Sequence, residues 1–155
     1  MKETRMTTIP EFAFVNYIPK EARGIGVACI LIQPGKGIYL TERAKDSEFG
    51  CPGGKVEDTD FSLEDSMRRE LLEETGLNFE ENRLHFLGYQ KVTTEATDYT
   101  CWYIVTLKPG EIPINKEPTK HGEWRPYMLK ESLKLPLFCG TKPTLEALIK
   151  QIKSI

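Results

Sequence analysis

An α/β domain with a mixed β-sheet covered by helices is the fold class this sequence predicts, and three observations carry it. The run Gly24 to Ile32 (GIGVACILI) is almost continuously apolar, as a strand buried on both faces must be. The stretch from Ser62 to Gly76 carries a helical repeat with a start signal and a stop signal. Strand-like and helix-like segments then alternate irregularly, without an internal repeat, a low-complexity tract or an interdomain linker. A chain of 155 residues fits one compact domain. We assign residues 1–22 to an N-terminal arm or edge strand and residues 23–155 to the domain itself.

The elements follow in order. Residues 1–22 hold Pro10 and Pro19, with the apolar patch Phe12-Ala13-Phe14-Val15 between them. After the first strand, Gln33-Pro34-Gly35-Lys36-Gly37 reads as a turn, because Pro presets position i+1 and Gly tolerates φ > 0 at i+2. Ile38 to Thr41 returns as the partner strand. Glu42 to Gly50 is charged and loop-like, leading to a Pro52-Gly53-Gly54 turn. Ser62 with Asp65 three residues later fits a capping box, and Leu63, Met67 and Leu71 supply a buried stripe. Gly76 sits where a left-handed C-terminal cap belongs. Arg83 to Thr93 and Tyr99 to Leu107 read as strands joined by a loop at Thr94 to Asp98. Pro109 to Thr119 is a loop. Glu123-Trp124-Arg125 begins a last short strand ended by Pro126, and Glu131 to Leu133 suggests a helical turn. The final helix has Pro143 in its first turn and Leu145, Leu148, Ile149 and Ile152 on one face.

Charge excludes several partners. Twenty-one basic and 23 acidic residues are interspersed, for a net charge of −2. That is no footprint for a nucleic-acid duplex or an acidic membrane surface, although a small phosphorylated ligand needs only local positive charge or a metal. The four cysteines, Cys29, Cys51, Cys101 and Cys139, show no zinc-ligand spacing and read as free thiols of a reducing compartment. No signal peptide and no membrane-length apolar run is visible. A soluble, cytoplasmic protein is the expectation, with the residues 1–22 arm available for a homodimer contact.

The chemistry concentrates between Cys51 and Leu77. Glu70, Glu73 and Glu74 stand at i, i+3 and i+4 of the predicted helix and so share one face. A solvated face, an ion-pair ladder with Arg69, and a cation site all satisfy that spacing. The preceding Gly-Gly turn shifts the balance toward a cation. Backbone carbonyl and carboxylate oxygens together suit hard Mg2+, with Mn2+ as an alternative.

The same residues resemble the Nudix box, G-x5-E-x7-R-E-U-x-E-E-x-G-U with U aliphatic. Gly54 matches the opening glycine, and Arg69 to Leu77 (RELLEETGL) matches the entire second half. The middle departs from the pattern. Asp60 stands in place of glutamate, and one extra residue before Arg69 reads as an insertion around Asp58 to Phe61. The resemblance implies a Nudix-type α/β/α sandwich that hydrolyses a nucleoside diphosphate linked to another group. It implies metal ligation by the Gly53 carbonyl, Glu70, Glu73 and Glu74, with Arg69 orienting the carboxylates. Glu73 or Glu74 is favoured as the general base, without separating them from Glu70.

The later segments Glu117 to Trp124 and Leu135 to Gly140 are similar to MutT-like nucleoside triphosphate pyrophosphatases. By that resemblance Glu117 adds a metal- or water-contacting carboxylate, Phe138 stacks on a base and Gly140 leaves room for it. Lys55 is a candidate phosphate contact. Trp102 and Trp124 read as core or pocket wall, and His121 as surface or structural. The expected activity is Mg2+-dependent hydrolysis of (deoxy)nucleoside triphosphates to a monophosphate and pyrophosphate. A nucleoside-diphosphate-X hydrolase, acting on ADP-ribose, a dinucleoside polyphosphate or a nucleotide sugar, is the alternative. A nucleotide-binding regulator without turnover ranks below both, because the chain keeps all three glutamates.

Overall fold

A single apolar strand organises the domain. The computed structural model describes residues 14, 15 and 17–153, the side chains of 14, 152 and 153 excepted. Strand β2 (Ile25–Gln33) lies along β7 (Tyr99–Thr106) in parallel register, from Ile25 opposite Tyr99 to Ile32 opposite Thr106. Its other edge is shared by two antiparallel partners in succession. Gly26–Ala28 pair with β5 (Gly53–Lys55), and Ile32–Gln33 pair with β3 (Gly37–Glu42). Between them the Cys29 amide donates to the Pro52 carbonyl at 2.9 Å. Among the described residues the sheet order is β1 (Phe14–Val15), β6 (His85–Lys91), β7, β2, β3, β4 (Phe49–Gly50), with β8 (Arg125–Tyr127) also pairing on β3. The pairing is mixed, as the sequence predicts.

Helices cover both faces. On one, Met67 and Leu71 of α1 (Leu63–Thr75) are fully buried against Val27, Leu31, Cys101, Tyr103 and Val105. On the other, Leu145 and Leu148 of α3 (Thr141–Lys153) pack with Ile30, Ile38, Leu40 and Trp102, joined by the short α2 (Leu129–Ser132). The result is the α/β/α sandwich expected from the motif.

The punctuation of the chain works as its residues dictate. Gly35 adopts φ +83°, and the Lys36 amide closes the turn on the Gln33 carbonyl at 3.0 Å. Ser62 Oγ accepts the Asp65 amide at 3.0 Å, capping α1, and Gly76 ends it at φ 75°. The last carbonyls of α1 are satisfied from outside the helix. Trp124 Nε1 donates to the Glu74 carbonyl at 3.0 Å, and the Ile114 amide to the Thr75 carbonyl at 2.9 Å.

Several boundaries differ from the sequence expectation. Gly53-Gly54 is strand rather than turn, and neither glycine has positive φ. Glycine is needed there for space: a Cβ on Gly53 would lie 2.3 Å from the Val27 carbonyl oxygen. The last strand is Arg125–Tyr127 and runs through Pro126 instead of stopping before it. Among the described residues it pairs only with β3, so as an edge strand it tolerates a residue without an amide donor. The helical turn falls at Leu129–Ser132, earlier than Glu131 to Leu133. The sixth strand begins at His85, after a 3-10 turn at Glu81–Arg83. Residues 10–13, with Pro10, Phe12 and Ala13, and the side chains of Phe14 and Ile152 lie outside the described residues.

The long loop after β7 is pinned by Arg83, whose guanidinium grips both Glu111 carboxylate oxygens at 2.7 and 2.9 Å. This pair holds the Glu111 carboxyl down at about 2. Glu111→Gln should therefore lower the unfolding midpoint at neutral pH by about 2–4 °C, for roughly 1 kcal/mol lost. The difference from wild type should vanish below about pH 2, where the native carboxyl is also protonated. Thermal melts across pH check both.

Candidate active site

The three glutamates of the acidic face have different surroundings. Glu70 is 8% exposed. Its carboxylate lies so close to Gly54 that a Cβ there would sit 2.1 Å from Glu70 Oε2, which explains the glycine that opens the motif. Glu74 reaches the Gly53 amide, which donates to its Oε1 at 3.0 Å. Glu73 points outward, its side chain 49% exposed, and pairs with Arg69 at 3.3 Å. The helix thus brings Glu70 and Glu74 together under β5 and leaves Glu73 at the rim.

Burial sets the electrostatics of the pair. It pushes the Glu70 carboxyl up to about 7, with Arg69 opposing and Glu73 adding to the rise. Burial also pushes Glu74 up to about 9, against the Gly53 amide and reinforced by Glu70 and Glu117. Two acids within hydrogen-bonding reach of one another cannot both ionise cheaply, and a dication would relieve them.

Arg69 is the hub of this arrangement. It holds Asp60 with two bonds, Nε to Oδ1 at 2.9 Å and Nη2 to Oδ2 at 3.0 Å. Its Nη1 reaches Glu70 at 3.2 Å, Glu73 at 3.3 Å and Glu57 at 3.5 Å. The Asp60 side chain is only 6% exposed, and Arg69 holds its carboxyl far below the usual carboxylate range. The acid on the lengthened loop therefore serves the arginine.

A cavity of about 670 Å³ opens over the N-terminal half of β2. Of the sequence-predicted residues, Gly53, Glu74, Lys55, Glu117 and Phe138 line it, as do Gly54, Trp102, Trp124 and His121. Glu70 lies behind Gly54, with Glu73 and Arg69 outside the lining. Gly140 does not line it either. Gly140 is buried at φ +84°, its carbonyl accepts from Gln90 Nε2, and a Cβ would come within 2.8 Å of Gln90 Oε1. Gln90 also accepts from Trp102 Nε1 at 2.8 Å, which fixes that cavity wall.

Glu117 arrives on a loop tied at both sides. Asn115 accepts the Glu117 amide at 3.0 Å and donates to the His121 carbonyl at 2.9 Å. Thr41 Oγ1 donates to the Gly122 carbonyl at 2.7 Å. Glu117 itself is half-buried and paired with Lys120 at 3.3 Å.

Among the described residues no three His, Cys, Asp or Glu side chains converge into a ready-made cation cage. The Glu70–Glu74 pair is nonetheless an all-oxygen donor set, and Mg2+ keeps several waters and takes substrate oxygens rather than requiring a full protein cage. The residues present fit such an ion. Sequence reading passed over Thr41, Arg43, Lys45 and Lys120, all in the lining. Three of them precede or follow strand-like segments as ordinary charged loop residues, which carries no signal.

Residues 22–148 match the NUDIX domain family model, and the chain belongs to that family. Solved structures agree on the fold. A MutT NUDIX hydrolase from Burkholderia pseudomallei is 26% identical with a TM-score of 0.68, over 80% of this chain and 96% of its own. The NUDIX domain of Shewanella oneidensis NrtR, complexed with ADP ribose, is 20% identical with a TM-score of 0.69, over 88% and 94%. A C. elegans Ap4A hydrolase is 13% identical with a TM-score of 0.64, over 85% and 99%.

Proposed function

We propose that the chain is a divalent-metal-dependent pyrophosphohydrolase of (deoxy)nucleoside triphosphates, releasing a nucleoside monophosphate and pyrophosphate. The observation that carries the reading is the Glu70–Glu74 carboxyl pair, packed against the Gly53-Gly54 strand at the base of the cavity. Glu70, Glu74 and the Gly53 carbonyl would hold Mg2+ or Mn2+, with Glu117 facing them and Glu73 available once it leaves Arg69. When bound, such an ion supplies phosphate charge neutralisation and a more acidic water. Glu74 reaches the cavity, so we assign it the proton of the attacking water. We assign Lys55 to a phosphate oxygen and Phe138 to the nucleoside, both residues lining the cavity. Arg69 keeps Glu70 in place.

A second reading, hydrolysis of a nucleoside diphosphate linked to another group, gains support from the ADP ribose and Ap4A relatives. A Mg2+-dependent turnover screen separates the two, using nucleoside triphosphates, ADP-ribose, dinucleoside polyphosphates and nucleotide sugars. The highest kcat/KM on a triphosphate, with pyrophosphate as product, supports the first. No turnover of any compound would leave a binding protein.

The metal-free state gives an independent test. Folded Glu70 and Glu74 hold protons that unfolded carboxyls, near 4.5, have already released. Stability from this pair therefore falls as pH rises from about 4.5 toward about 9. Melts in chelator should show the midpoint dropping across that window, on the order of 2–5 °C. Added Mg2+ or Mn2+ should raise it more at pH 8.5 than at pH 6. A metal-induced shift that is equal at both values would sink the pairing of these acids with the ion.

A further inference from the structure

Arg43 follows β3 directly and is held at several points. Its amide donates to the Glu48 carbonyl at 2.8 Å, its carbonyl accepts the Ser47 amide at 2.9 Å, and it forms a β-bridge with His121. Its guanidinium carbon lies 3.7 Å above the Phe138 ring centroid, a cation–π stack. Nε is bound to Asp46 Oδ1 at 3.1 Å. The side chain is 30% exposed and lines the cavity.

These contacts fix the plane and the rotation of the guanidinium while using only Nε. Among the described residues neither Nη1 nor Nη2 has a protein acceptor. Two neighbouring cavity cations are already paired, Lys45 with Glu95 at 2.8 Å and Lys120 with Glu117 at 3.3 Å. Arg43 therefore presents a preorganised fork of donors to the cavity. A planar fork matches two adjacent acceptors lying in its own plane, which a point charge such as lysine cannot select.

We propose that Arg43 is a specificity-determining residue whose fork receives a pair of adjacent acceptors on the bound nucleotide. This rests on the nucleotide reading above. Two sources carry that chemistry: the O6 and N7 edge of a 6-oxopurine, and two oxygens of a phosphate away from the reacting chain. A base held by the fork lies in the guanidinium plane, so it extends the layer above Phe138 and does not displace Arg43.

Calorimetry of wild type, Arg43→Gln and Arg43→Lys with GMP, AMP and adenosine 3′,5′-bisphosphate tests this without turnover. Wild type should bind GMP or the bisphosphate more tightly than AMP. Both variants should weaken that preferred ligand by tenfold or more and change AMP by less than twofold. Selective loss of GMP identifies the base edge, and selective loss of the bisphosphate identifies the second phosphate. Equal change across all three ligands, no change, or wild-type affinity in Arg43→Lys would overturn the proposal. A wild type that binds all three alike overturns it alone, whereas one that binds none overturns the nucleotide reading as well. Arg43→Lys keeps the charge and stem, so a folding defect in Arg43→Gln does not remove the test.

Discussion

Glu74→Gln is expected to lower kcat by about 10²–10⁴-fold, the range for removing a positioned general base, while making the metal-free protein more stable. The two effects have one origin. Glu74 is a half-buried carboxyl beside Glu70, and its ionised form is disfavoured by desolvation and by both neighbouring acids, Glu70 and Glu117. Glutamine keeps an oxygen for the Gly53 amide and removes the charge that burial penalises. Activity should fall and the midpoint at pH 8 should rise, with the rise absent near pH 4.5. Steady-state kinetics and chelator melts on one preparation measure both. A variant with near-wild-type kcat would remove Glu74 from the chemistry. A lower midpoint would mean that the pair is not under the electrostatic load inferred from its burial.

Arg69→Gln should produce the largest loss of stability of any single change considered. It strips the partner from nearly buried Asp60 and from Glu70, and leaves Glu57 and Glu73 without their cation. Breaking a buried pair from one side costs about 3–5 kcal/mol, which corresponds to a midpoint roughly 6–20 °C lower. Adding Asp60→Asn should return part of that loss, because the second change removes the orphaned charge. A drop of less than about 2 °C would reduce the arginine to a surface ion pair worth at most about 1 kcal/mol. Full recovery of stability without recovery of activity in the double variant would show that Arg69 also orients Glu70.

Local signals in the sequence carried far. The apolar run that became β2, the Pro-Gly turn, the Ser62 cap, the Met67–Leu71 stripe and the Gly76 stop each follow from one or two residues acting on nearby backbone. The acidic helix face was legible for the same reason. What the sequence did not show depends on contacts between distant segments. Gly53 and Gly54 read as a turn because Pro-Gly-Gly usually turns. They are strand because they pair with Gly26–Ala28, and they are glycine because the Val27 carbonyl fills the side-chain space at Gly53 and Glu70 fills it at Gly54. Glu70, Glu73 and Glu74 are alike by spacing, yet only the placement of β5 and of Arg69 separates the Glu70–Glu74 pair from a rim acid. Asp60, displaced by the extra residue, shows its role only when the loop closes on Arg69. Arg43 carried no local signal because its stacking partner lies 95 positions further along the chain.

The division of one β2 edge between β5 and β3 has a consequence for how such a domain can diverge. β2 lies inside the sheet, so its amides should exchange with solvent only on global opening, together with those of β7. The part of the cavity lined by Gly26, Val27 and Ala28 of β2 thus belongs to the most slowly opening unit of the molecule. Loops at 43–48, 94–98 and 115–122 supply much of the wall, and they lie outside the β2–β7 ladder. Substitutions there can redraw which ligand fits while drawing little on global stability. Drift in ligand preference and persistence of the floor of the cavity are therefore separable, and a lineage can explore one without risking the other.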